Sequence, residues 1–136
     1  MGKLHLEVVT PENVMVSQEV DIVVAPGSLG EFGVLAGHVP FLSGLIPGEL
    51  RYTSGSENEH FVVTSGFVEV SENRVSVLVD AAERAGEIDV RRALEAKKRA
   101  EERLAKERAA GDIDYLRAEG ALKRAIARIR VGEKKI

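Results

Sequence analysis

The feature that most constrains this chain is a change of character at Asp80-Ala81-Ala82-Glu83. Before it, short runs rich in Val, Ile and Thr are separated by Gly, Pro and Asn. After it, Ala, Arg, Glu and Lys take over and β-branched residues become rare. The first composition fits pleated, half-buried strands and the second fits helices. A chain of 136 residues with such a break reads as two small parts, an all-β module followed by a helical one. Aromatics make up only 4% of it, so its core must be built from Val, Leu, Ile and Ala.

In the first part, Leu4, Leu6 and Val8 alternate with His5, Glu7 and Val9. The run Val14 to Ala25 is β-branched and ends at Pro26-Gly27. Glu59 to Thr64 leads to a break at Ser65-Gly66. Phe67, Glu69 and Ser71 alternate with Val68, Val70 and Glu72, and Glu72-Asn73 forms a turn before Arg74 to Val79. Many short strands between turn signals indicate a sandwich or barrel. The segment Gly27 to Pro40, with glycines at 27, 30, 33 and 37, superficially suggests a phosphate loop. It has no Gly-Lys-Ser/Thr ending and no helix pattern after it, so it reads as a structured turn with exposed contacts.

The second part is written twice. Residues 88–104 read IDVRRALEAKKRAEERL and residues 113–129 read IDYLRAEGALKRAIARI. The shared template places Asp89 with Asp114, Arg92 with Arg117, Arg99 with Arg124 and Arg103 with Arg128. Helices are expected over 89–110 and 114–130. Asp89 and Asp114 serve as N-caps worth ~1 kcal/mol each, the preceding Ile forms a staple, and Gly111 is a stop between them. So short a connection makes the helices antiparallel neighbours. Ala93, Ala96, Ala100 and Leu104 form one apolar stripe, and Tyr115, Ala118, Leu122, Ala125, Ile126 and Ile129 form its partner. An alanine seam buries little surface, so such a hairpin opens at modest cost. Gly120, in the middle of the second helix, costs about 1 kcal/mol relative to Ala.

The arginines admit two readings. Arg92 and Arg99 share one helix face, and Arg124 and Arg128 share another. In an antiparallel pair these faces converge on a polyanion such as a phosphate chain. Alternatively they form a solvated cationic surface with local partners such as Glu95 to Arg99. Charge is divided along the chain. Residues 1–82 carry 3 basic and 11 acidic side chains, a net −8, and residues 83–136 carry 16 and 11, a net +5. The halves therefore have different electrostatic tasks or different partners. Nucleic acid is not among those expected, because acids are interleaved throughout and no aromatic stacking groups accompany the arginines.

Catalysis finds little support. The chain has no Cys, His5, His38 and His60 show no metal-ligand spacing, and no nucleophile motif is visible. No catalytic residue and no metal are expected. Met1-Gly2-Lys3 runs directly into strand-like sequence, which reads as no signal peptide. No stretch approaches the roughly 20 apolar residues of a membrane span, so no direct membrane insertion is expected.

Three blocks then carry a resemblance: L-H-L-E-V-V-T-P-E at 4–12, G-S-L-G-E-F-G-V-L-A-G-H-V-P-F-L at 27–42, and the helix pair opening at I-D-V-R-R-A. Over essentially its whole length the chain resembles the epsilon subunit of bacterial rotary (F-type) ATP synthases. The resemblance implies an α+β fold, with an N-terminal β-sandwich of about ten strands (1–83) and a C-terminal antiparallel α-helical hairpin (84–136). It implies a non-catalytic subunit of the central stalk of a proton-translocating enzyme, peripheral on the cytoplasmic face of the cell inner membrane. The implied partners are the gamma subunit, the c-ring, and the alpha and beta subunits. Glu31 and His38 are implied in rotor and c-ring contact. The hairpin is implied to inhibit ATP hydrolysis when extended. No cofactor is required, but a regulatory ATP is implied in the folded hairpin. Its residues by similarity are Glu83, Ile88, Asp89, Arg92, Ala93, Arg99, Arg124 and Arg128.

Overall fold

The structure, a computed structural model, describes residues 2–107 and 112–133, and of residues 107 and 112–114 the backbone alone. It divides into two compact units, Met1–Arg84 and Ala85–Ile136.

The first unit contains ten strands: β1 (Leu4–Val9), β2 (Val14–Val20), β3 (Ile22–Gly27), β4 (Gly30–Leu35), β5 (Phe41–Leu45), β6 (Gly48–Ser54), β7 (Glu57–Val63), β8 (Gly66–Ser71), β9 (Arg74–Val79) and β10 (Ala82–Arg84). They are ordered β10-β7-β6-β3-β5-β8-β9-β1-β2, with β4 on the other side of β3. All pairings are antiparallel except β1 with β9. Strands β3 and β5 meet only at Gly27 opposite Leu45, and there the sheet passes from one layer of a sandwich to the other. One layer supplies Leu4, Leu6, Val8, Val68, Val70, Val75 and Val77 to the core, and the other supplies Val23, Val34, Leu50, Phe61 and Val63. These positions follow the strand period of two, so each strand keeps one face dry.

The alternation in β1, β8 and β9 is as the sequence predicts. Leu4, Leu6 and Val8 are fully buried, whereas Phe67 and Leu78 face outward. The single run expected from Val14 to Ala25 is instead two strands. Asp21 makes the break: its backbone N–H donates to Thr53 O at 2.8 Å, and its carboxylate takes Lys3 and the Gly55 N–H. Those two hydrogen bonds, Lys3 first, hold the Asp21 carboxyl below the usual carboxylate range. The glycine-rich segment after Gly27 is not one turn but strand β4 between two turns. Gly27 relieves crowding, since a Cβ there would lie 2.7 Å from Gly30 O, whereas Gly30 and Gly37 have open space around them and take positive φ at the two turns. The turn at Glu72-Asn73 is present, with both residues at positive φ.

The second unit opens with one 3-10 turn (Ala85–Glu87), then α1 (Val90–Glu107) and α2 (Asp112–Gly132). Asp89 caps α1, accepting the Arg92 N–H at 3.1 Å. Because α2 already includes Asp112, Asp114 lies inside the helix rather than ahead of it as its cap. The side chains of Ile113 and Asp114, and the expected stop at Gly111, fall outside the described residues. A Cβ placed on Gly132 would touch Ile88 and Val90. The end of α2 therefore lies beside the start of α1, and the helices run antiparallel.

Candidate functional site

The second unit brings the arginines together. Ala93 and Ala100 on α1, and Ala118 and Ala125 on α2, are buried and mark the facing sides. With about 100° per residue, Arg92 and Arg99 fall roughly a quarter turn to one side of the α1 seam. Arg117, Arg124 and Arg128 fall roughly a quarter turn from the α2 seam. Because the helices are antiparallel, both flanks lie on the same face of the hairpin. Counting from the contact of Gly132 with Ile88 and Val90, Arg92 comes level with Arg128 and Arg99 with Arg124, to within about 3 Å along the axis. The two levels are about 10 Å apart along α1 and about 6 Å apart along α2. Arg103 joins the same flank of α1.

The charges on this face are poorly compensated. Arg92, Arg99, Arg117 and Arg124 are exposed and make no ion pair among the described residues. The partner expected for Arg99, Glu95, turns instead to Arg91, at 3.7 Å. Helix geometry does not distinguish the two choices, since Arg91 and Arg99 both lie four residues away. Arg103 and Arg117 stand on this face beside the expected site residues, and the 25-residue template carries both. Of the remaining expected positions, Ile88 and Ala93 are buried and Asp89 is committed to its cap. Glu83 belongs to the first unit, half-buried on β10 opposite Val62.

Gly120 has a specific neighbour. A Cβ there would sit 3.2 Å from Arg124 Nη1, the exposed end of a flexible side chain. Gly120→Ala is therefore expected to let Arg124 shift slightly and to stabilise the helical unit by up to about 1 kcal/mol. Urea unfolding followed by far-UV circular dichroism measures this, and a loss of stability would show that Arg124 is held rigidly in place.

Glu31 and His38 do not form one cluster. They lie toward opposite ends of β4, whose residues from Glu31 to Leu35 span about 13 Å. Exposed Glu31 accepts two hydrogen bonds from Arg51, at 2.9 and 3.2 Å, a fork geometry that fixes its carboxylate. That hydrogen bond is the main cause raising the Arg51 pKa above its ordinary value. The His38 Nδ1–H donates to Val39 O at 2.6 Å, and its ring meets Phe41 edge-on at 5.8 Å. The turn before it is pinned by the Gly37 N–H donating to Asn73 Oδ1 at 2.7 Å. Arg51 and Asn73, distant in sequence, carry no local signal of these roles.

One trio resembles a hydrolase site without its geometry. Ser17 Oγ and Glu7 Oε1 both approach His5 Nε2 at 3.4 Å. A relay needs the hydroxyl on one ring nitrogen and the carboxylate on the other. Glu7 is also held by Arg74 at 2.7 Å. Among the described residues no group of His, Asp and Glu is disposed to hold a metal ion, and no helix is long and apolar enough to cross a membrane.

Comparison with known proteins gives one answer for both units. Residues 3–85 match the beta-sandwich domain of the ATP synthase delta/epsilon chain, and residues 87–133 match its long alpha-helix domain. An ATP synthase epsilon chain of Syntrophobacter fumaroxidans is 52% identical over 132 residues, covering 97% of each chain. One of Nitratidesulfovibrio vulgaris is 55% identical over 102 residues, covering 75% of this chain and 76% of that one. In a cryo-EM structure of the Euglena gracilis mitochondrial ATP synthase (OSCP/F1/c-ring), one chain superposes with a TM-score of 0.82 at 25% identity. The match covers 93% of this chain and 79% of that one. With both of its units matched in order, the chain belongs to the ATP synthase epsilon-chain family, whose members are non-catalytic subunits of that enzyme.

Proposed function

We propose that the chain is a central-stalk subunit of a proton-translocating ATP synthase, peripheral on the cytoplasmic face of the inner membrane. In this reading the sandwich docks on the gamma subunit and the c-ring, with Glu31 and His38 among its contacts, and couples rotor to catalytic head. The hairpin is the regulatory part. Extended, it enters between alpha and beta subunits and inhibits hydrolysis; folded, it holds ATP. Family membership supports the stalk role, and the similar Euglena chain comes from a structure containing F1 and the c-ring.

The observation that carries the nucleotide reading is the arginine face: two levels of guanidinium groups on one flank, of which Arg92, Arg99 and Arg124 make no ion pair among the described residues. Guanidinium forks match phosphate oxygens, and each charge-assisted hydrogen bond contributes roughly 1.5–3 kcal/mol. Arg92, Arg99, Arg124 and Arg128 grip the phosphates, Asp89 fixes the start of α1, and Ile88 and Ala93 complete the site. No metal is needed, because the arginines neutralise the charge themselves.

Calorimetric titration of the chain with ATP tests this. Binding is expected with and without Mg²⁺, and Arg99→Ala or Arg124→Ala is expected to weaken it by about tenfold or more. Absence of binding at roughly millimolar ATP would overturn the nucleotide reading and leave the stalk role standing.

A further inference from the structure

The residue that closes the hairpin is a glycine at its far end. Gly132, the last residue of α2, is buried. A Cβ there would lie 2.7 Å from Val90 Cγ2, 3.0 Å from Ile88 Cγ2 and 3.3 Å from Ile88 Cβ. Neither neighbour can move aside cheaply. Both are β-branched, stiff at χ1, and Ile88 is 1% exposed. Gly132 does not have positive φ, so its conformation does not call for glycine. The space does.

We infer that Gly132 is the latch of the hairpin. The absence of a side chain lets the last turn of α2 seat on Ile88 and Val90, and this seat sets the register that brings Arg92 level with Arg128. Ile88 and Val90 flank the Asp89 cap, so the same contact clamps the start of α1. Elsewhere the helices meet largely through alanines, which hold weakly; a single obstructed contact at the end therefore shifts the balance between closed and open. The link from latch to arginine face rests on the nucleotide reading given above, but the latch itself does not.

Leu94 and Arg130 are exposed and lie on the flank opposite the arginines, at the latch end. The chain has no cysteine, so Leu94→Cys and Arg130→Cys place two spin labels uniquely in the full chain. Dipolar distances are measured without ATP and with saturating ATP, for Gly132 and for Gly132→Leu and Gly132→Ala. With Gly132 a short, narrow distance is expected. Gly132→Leu is expected to lengthen and broaden it in the absence of ATP. If the closed fraction falls to about a tenth, apparent ATP affinity falls about tenfold, and saturating ATP restores the short distance.

Gly132→Ala separates the latch from helix propensity. Propensity alone favours alanine and tightens the helix, whereas the latch requires partial opening in the same direction as leucine. Unchanged distances in both variants overturn the latch. Lengthened distances in a chain that binds no ATP uphold it and overturn the nucleotide reading instead. Lengthened distances with ATP affinity unchanged from the Gly132 chain overturn the link between latch and arginine face.

Discussion

A chain ending at Glu87 is expected to fold as a sandwich, to assemble with the gamma subunit, and to impose none of the inhibition of ATP hydrolysis that the full chain imposes. The structural basis is the make-up of the core. Every member of the sandwich cluster, from Leu4 to Val79, and the half-buried Met15, Phe32 and Ala82 packed on it, precedes residue 85. Removing 88–136 deletes no core side chain and no ladder hydrogen bond of the ten strands. The regulatory role assigned to the hairpin is thereby separated from the docking role assigned to the sandwich. The measurement is ATP hydrolysis by enzyme reconstituted with either chain, alongside thermal melting of the truncated chain alone. Equal inhibition by both chains would place the inhibitory element in the sandwich.

The second large effect is expected at Gly66. A Cβ there would lie 2.0 Å from Leu78 O and 2.8 Å from Val79 Cα. Backbone is the obstacle on the β9 side, and no rotamer change relieves it. Gly66 stands opposite Val79 on one side and Leu45 on the other, so moving it disturbs two pairings at once. Gly66→Ala is expected to cost about 3 kcal/mol, the upper end for overpacking, and to lower the melting temperature of the sandwich by on the order of 15 °C. The helical signal of the second unit should persist beyond that transition. A melting temperature within a few degrees of the original would mean that β8 and β9 separate more easily than their register implies.

Gly66, Gly120 and Gly132 show what sequence reading recovers and what it misses. Each is a glycine in a regular element, yet the sequence marks Gly66 as a break, gives Gly120 the cost of a helical glycine and singles out nothing at Gly132. The structure assigns three different neighbours: a backbone carbonyl, a flexible guanidinium and a pair of stiff side chains. The expected effects of alanine accordingly differ in sign and size. Strands β1, β8 and β9 were legible because one face is wet and the alternation survives. Strands β4, β5 and β6 were not, because their glycines and mixed exposure blur the period of two. Asp21 was hidden inside a hydrophobic run, and only its tertiary partners Lys3, Thr53 and Gly55 explain why the chain bends there.

The candidate site divides in the same way. Arg92, Arg99, Arg124 and Arg128 were legible because one template is written twice, and duplicated spacing survives folding. That Arg99 makes no ion pair among the described residues was not legible, since Glu95 has an arginine four residues away on either side and takes Arg91. Glu31 and His38 share one block of sequence, yet each is held by different neighbours, Glu31 by Arg51 and His38 by Val39 and Phe41. A run of residues marks one place on a helix hairpin and two places on a strand.

The parallel pairing of β1 with β9 has a consequence for how the two units form. Residues His5 to Val9 lie against Arg74 to Leu78, so the sandwich cannot close until nearly all of its chain has been synthesised. The contacts of α1 with α2 are local, spanning one short connection. Local contacts form fast and distant ones slowly. The hairpin is thus a structure the protein can remake quickly each time it comes apart, whereas the sandwich is one it should need to make once.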